Sequence, residues 1–134
     1  MPRKKEQRDP EYALHVFHHF DERVRKVLQV FLVQTTKEFT CFGYEILLDV
    51  AVQNRAIALK ILGLQTTPLL MPSVGPARGR RDFTDLAGSY VLNIMKLDGE
   101  MNEFRLDVTP SNLVIKGAPA APFITASNRP VALS

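Results

Sequence analysis

The hydrophobic pattern changes period along the chain, and each period predicts a different element. Over residues 10–33, Ala13, Phe17, Phe20, Val24, Val27, Leu28 and Phe31 recur mostly at spacings of three and four. That spacing stacks them on one side of a helix, with His18, Glu22, Arg25, Lys26 and Gln29 opposite. Asp9 is a good N-cap, Pro10 suits the first helical position, and Glu11 favours the positive end of the helix dipole. Together they predict an amphipathic helix over 10–33, about six turns long, ending near Thr35 and Thr36. The stripe approaches coiled-coil spacing for only about two heptads, so covering a sheet of the same chain is its simpler role.

A period of two follows. Phe42, Tyr44, Ile46, Leu48, Val50 and Val52 are apolar at even positions, and Ile57, Leu59 and Ile61 at odd ones. A hairpin over 39–64 that turns at Asn54-Arg55 sets Val52 against Ile57, Val50 against Leu59, Leu48 against Ile61 and Asp49 against Lys60. Asn54 tolerates positive φ there, whereas Arg55 is a poorer turn residue.

Residues 90–117 predict a three-stranded meander. Opposing Leu92 to Leu106 puts Ile94 against Phe104 and Tyr90 against Val108. The turn at 109–112 then lays Leu113 on Val108 and Ile115 on Leu106, so all three strands share an apolar face. Asp98-Gly99 invites a two-residue turn, but that register would pair Leu92 with Arg105; a longer loop or a bulge is expected to restore the faces. Between hairpin and meander, Pro68, Pro72, Pro76 and the arginines of 75–81 predict a loop over 65–88, mobile at its 75–81 tip. Residues 118–134 carry Pro119, Pro122 and Pro130 and read as an extended tail, with an edge strand near Phe123.

These elements sum to an α+β fold: an N-terminal amphipathic helix covering an antiparallel β-sheet or small β-sandwich of about five to seven strands. One globular domain spans 10–117, preceded by a basic arm over 1–9. With 134 residues, 46% hydrophobic and 23% charged, the chain is long enough for a real core and too short for a second domain. Cys41 is the single cysteine, which excludes an intrachain disulfide or a multi-cysteine zinc site and makes the cytoplasm the default. No stretch approaches the ~18 apolar residues of a membrane span, and the N-terminus lacks the apolar core of a secretory signal.

The order Tyr90-Val91-Leu92, Leu97-Asp98-Gly99, Glu103 to Val108 and Asn112-Leu113-Val114-Ile115-Lys116-Gly117 resembles the early half of the α-crystallin domain of small heat-shock proteins. The resemblance covers about a fifth of the chain. Asp98 stands where that family has a turn proline, and its R-x-F-x-L-P strand and C-terminal I-x-I motif are absent. The resemblance implies an immunoglobulin-like β-sandwich and holdase-type binding of unfolded chains.

Candidate chemistry is sparse. On a helix, His15 and His19 lie one turn apart with Glu22 near them, the best metal-ligand constellation in the chain; yet all lie on its polar side, without a HExxH pattern or cysteine partners, so solvated histidines are the simpler reading and no metal is assigned. Cys41 at a strand start reads as a buried, inert thiol. The acidic turn Asp98, Glu100, Asn102 and Glu103 lacks the EF-hand glycine and twelfth-position glutamate, so it reads as a hairpin tip. No nucleophile elbow, phosphate loop or dinucleotide fingerprint occurs, so no catalytic residue and no cofactor are expected.

The net charge of +3 is small, and the cations gather at Arg3, Lys4, Lys5 and Arg8 and at Arg78, Arg80 and Arg81. Nucleic acid would contact those seven residues, although no aromatic residue lies among them to stack on bases. The leading expectation is a non-catalytic interaction or assembly module, a homo-oligomer or the binder of a protein partner. It would use exposed strand edges and a helix face formed by Phe17, Phe20, Val24 and Phe31. The alternatives are a holdase, as the resemblance implies, a nucleic-acid-binding protein, and an apolar-ligand-binding protein.

Overall fold

A computed structural model describes residues 9–39, 43–67 and 74–133. Among them there are nine strands and no helix: β1 (Tyr12–Asp21), β2 (Lys26–Phe39), β3 (Gly43–Gln53), β4 (Ala56–Thr67), β5 (Gly75–Phe83), β6 (Gly88–Met95), β7 (Met101–Val108), β8 (Leu113–Lys116) and β9 (Ile124–Ser127). They form one sheet in the order β8-β7-β6-β4-β3-β5-β2-β1-β9. The α+β expectation, with its helix over 10–33, its fully antiparallel sheet and its five to seven strands, is therefore corrected to an all-β, barrel-like fold with three parallel pairs, β1/β9, β3/β5 and β4/β6.

The helical stripe was two strands read as one element. β1 and β2 form an antiparallel hairpin from Tyr12↔Thr35 to Asp21↔Lys26. The Asp21 carbonyl accepts from Arg25 N at 2.7 Å, the Asp21 carboxylate accepts from Arg23 N at 2.9 Å, and Arg25 adopts φ 57°. This is side-chain turn chemistry placed mid-way along the supposed helix. Glu11 N and Tyr12 N both donate to the Phe123 carbonyl, so the segment after Asp9-Pro10 is tied to the C-terminal part of the chain. The spacing of three and four arose because both strands carry apolar residues on both faces. Leu14, Val16, Phe31 and Val33 point to the main core, while Phe17, Leu28, Val30 and Leu32 form a second cluster with Val131 and Leu133. Every residue over 28–33 is buried, and Val16, Val24, Val27, Val30 and Val33 all favour strand over helix.

The hairpin register holds as expected: Val52↔Ile57, Val50↔Leu59, Leu48↔Ile61 and Asp49↔Lys60, with Asn54 at φ 56°. A bulge beyond Leu48 sets Ile46 opposite Leu64. In the meander, β7 and β8 pair as expected through Leu106↔Ile115 and Val108↔Leu113. β6 and β7 keep the expected faces but slide by two residues, giving Tyr90↔Leu106 and Leu92↔Phe104. The cause is the loop, which was expected to be longer than two residues. Lys96 N donates to the Glu100 carbonyl, Gly99 N donates to the Lys96 carbonyl, and Gly99 takes φ 91°, a three-residue connection closed by a left-handed glycine.

The expected loop over 65–88 is corrected as well, because its 75–81 tip belongs to strand β5, while Pro68 and Pro72 lie outside the described residues. β5 runs antiparallel to β2 but meets β3 through a single pair, Glu45↔Arg78. The sheet folds at this point, where Gly79 crosses β3 so closely that a Cβ there would lie 2.4 Å from the Ile46 carbonyl oxygen. No side chain fits in that space. One half, β8-β7-β6-β4-β3, thus curls over the other, β5-β2-β1-β9, around one core that includes Phe31, Leu59, Leu92, Leu106 and Phe123. At the opposite seam the buried Asn102 carboxamide oxygen of β7 accepts from Phe123 N at 3.0 Å, and Asn128 donates to the Leu113 carbonyl at 2.6 Å. Side chains, rather than a ladder, join β8 and β7 to the β9 segment.

Candidate functional site: an uncovered strand edge

Closing one seam with asparagines and folding the other at Gly79 leaves part of β3 without a neighbour among the described residues. Gln53↔Ala56 closes the two-residue turn, so the Gln53 backbone groups face β4 and those of Val52 face away. Alternation then turns Val50 and Leu48 away from β4 too. One bond confirms that orientation: the Leu48 carbonyl accepts from the Arg81 guanidinium at 2.8 Å across the gap to β5. Among the described residues no strand pairs with Val50 or Val52 on that side.

This edge lacks the usual protection. Strands left open in monomers commonly carry proline, lysine or a bulge; residues 48–53 read Leu-Asp-Val-Ala-Val-Gln. Leu48 is buried, Val50 half-buried and Val52 39% exposed, while Leu47 at the other end is 38% exposed. The edge therefore offers two backbone donor-acceptor sites at Val50 and Val52, flanked by apolar side chains. Asp49 projects to the outer face beside its cross-strand partner Lys60.

The residues expected to form an interaction face are not brought together. Phe31 is fully buried in the main core and Phe17 lies in the second cluster, whereas Phe20 and Val24 are 51% and 55% exposed near the β1-β2 turn. Val27, opposite Phe20, extends that apolar tip. The helical metal constellation dissolves for a geometric reason: on a strand, His15 and His19 are about 13 Å apart along the chain, and Glu22 sits in the turn. No group of three metal-ligating side chains occurs among the described residues.

The three arginines of the expected nucleic-acid surface are engaged by β-sheet neighbours. Arg78 donates to Gln34 at 3.1 Å and to the Ala132 carbonyl at 2.8 Å, and Arg80 grips Asp82 bidentately at 2.8 and 2.9 Å. Arg81 is the residue that reaches Leu48. Arg3, Lys4, Lys5, Arg8 and Cys41 lie outside the described residues. What the sequence missed is which edge is open. The heavy commitment of β5 to β2 was hidden by reading 75–83 as a loop.

Among the described residues no helix is long and apolar enough to cross a membrane. In comparisons with known proteins, no family model, no curated protein and no solved structure matches the chain.

Proposed function

We propose that the protein is a non-catalytic assembly module that pairs with a second copy of itself through the β3 edge. The observation that carries this reading is the backbone at Val50 and Val52, unpaired among the described residues, on a strand whose other side is fully laddered to β4. Two such edges are self-complementary about a two-fold axis at Ala51, which would set Val50 against the partner's Val52 in an antiparallel pair. The half-sheet β8-β7-β6-β4-β3 would then run on into its symmetry mate. Val52, partly exposed, would be covered by the new pair. The lone cysteine fits a reducing, cytoplasmic setting.

Light scattering over a range of concentrations tests the reading. Wild type is expected to form a dimer at micromolar concentration, and Val52→Lys, which adds an edge charge without touching the β3-β4 ladder, a folded monomer. A wild type that stays monomeric, or a Val52→Lys variant that dimerises as well as wild type, removes the basis of the proposal.

A further inference from the structure

The outer face of β6, β7 and β8 carries a row of cations. The registers place Ala56 beside Val91, Val91 beside Arg105, and Arg105 beside Lys116. Arg55, the residue before Ala56, thus heads a line that crosses to Arg105 and Lys116. All three line one open cleft of about 420 Å³, together with Ser89, Val91 and Asp107. Such a volume suits a small molecule.

Two features separate this cleft from an ordinary solvated surface. Like charges directly opposite each other on paired strands are destabilising, yet Arg105 and Lys116 occupy such a pair. The cations are also held in place. Arg55 donates to the Ala87 carbonyl at 2.5 Å and lies over the Tyr90 ring at 5.1 Å. Lys116 lies 3.4 Å from Asp107, whose other oxygen accepts from the Ser89 hydroxyl at 2.7 Å. The Ser89 hydrogen bond, and then Lys116, hold the Asp107 carboxyl below its ordinary range, so it is ionised at neutral pH. One carboxylate set against three cations leaves the lining with two positive charges in excess. The Arg105 guanidinium, which makes no hydrogen bond or ion pair among the described residues, belongs to a residue that lines the cleft.

The geometry points to a binding site for the oxyanion group of a small molecule, phosphoryl or carboxylate, with Arg105 as its main contact and Arg55 and Lys116 flanking it. Planar guanidinium forks match either group bidentately. The site lies on a face distinct from the β3 edge, so it stands whether or not the protein dimerises.

Amide chemical shifts followed during titration with inorganic phosphate, methyl phosphate and succinate, at low and high salt, test it and tell the two chemistries apart. Saturable shifts centred on Ser89, Val91, Arg105 and Lys116 are expected with at least one probe, weakening as salt rises. Arg105→Ala should weaken that binding about tenfold, and Arg80→Ala, at a guanidinium already paired with Asp82, should leave it unchanged. Asp107→Asn should tighten it, because the cleft's one carboxylate is neutralised. Shifts scattered over all basic residues, equal losses in the two arginine variants, or weaker binding by Asp107→Asn would each overturn the assignment.

Discussion

The two outer faces of this barrel are built from the same kind of strand and end in opposite states. On β1-β2-β5, Phe17, Leu28, Val30 and Leu32 face outward and are roofed by Val131 and Leu133 of the C-terminal segment. The Arg78 bond to the Ala132 carbonyl fastens that roof. On β6-β7-β8 the outward residues include Ser89, Val91, Arg105, Asp107 and Lys116, and a cleft stands open above them. Burying a sheet on both faces yields strands with continuous apolar runs, whereas burying one face yields alternation. The covered face adds stability, and the open one carries charge.

The largest test of this contrast puts a carboxylate on each face. Val30 is fully buried beneath the C-terminal segment, so Val30→Asp leaves an unpaired charge in an apolar cluster and is expected to abolish folding, at a cost of several kcal/mol. Val91→Asp, half-buried on the open face among cations, is expected to change stability by no more than about 1 kcal/mol. Denaturant unfolding followed by circular dichroism reads both. Equal costs would mean that the two faces do not differ as described.

That contrast also decides how much of the fold was legible. The strands with one buried face announced themselves: Leu106, Val108, Leu113 and Ile115 gave the β7-β8 register, and hence the opposed Arg105 and Lys116, by arithmetic. The β3-β4 hairpin was equally readable from Val50, Val52, Ile57 and Leu59. β2 was not, because Leu28 and Phe31 belong to opposite faces of one strand, and merging both faces imitates helical spacing. The polar turn at Asp21 and the β-branched content of 27–33 were the signals that favoured a hairpin. The run of 75–83, rich in arginine and glycine, hid a central strand. Its Gly79 is there for the crossing of β3, a long-range contact that no local pattern records. The open β3 edge follows from that crossing, so it could not be located before β5 was.

Removing the roof gives a smaller and more specific effect. Truncation after Arg129 keeps Asn128, which bonds Leu113, but deletes Val131 and Leu133 from the second cluster. Re-exposing this patch is expected to cost about 2 kcal/mol and to raise binding of an apolar dye, with the β-sheet spectrum and any phosphate binding at the open cleft retained. Loss of the entire fold would show that the segment is part of the core rather than a cover. An unchanged melting temperature would show that it does not cover the face at all.

The smallest expected effect is a pH dependence confined to the covered face. His15 lies on the outward side of β1 against the Arg129 backbone, and its Nδ1 is buried without a hydrogen-bond partner. Burial is the main reason that its pKa falls below the ordinary 6.5; the polar Arg129 backbone nearby opposes the shift, and the Arg78 charge from β5 adds to it. A depressed pKa means that the unfolded chain takes up the proton first. Stability is thus full above about pH 6.5 and declines as pH falls below it towards the folded value, with a slope of at most about 1.4 kcal/mol per pH unit for one group. His15→Gln should flatten the stability profile in that window while leaving the acid loss from Asp107, whose carboxyl titrates below its ordinary 3.8, where it was. A profile unchanged by His15→Gln would remove the imidazole from the account of how the C-terminal segment is held, and leave Arg78 and the apolar contacts of Val131 and Leu133 as its fastenings.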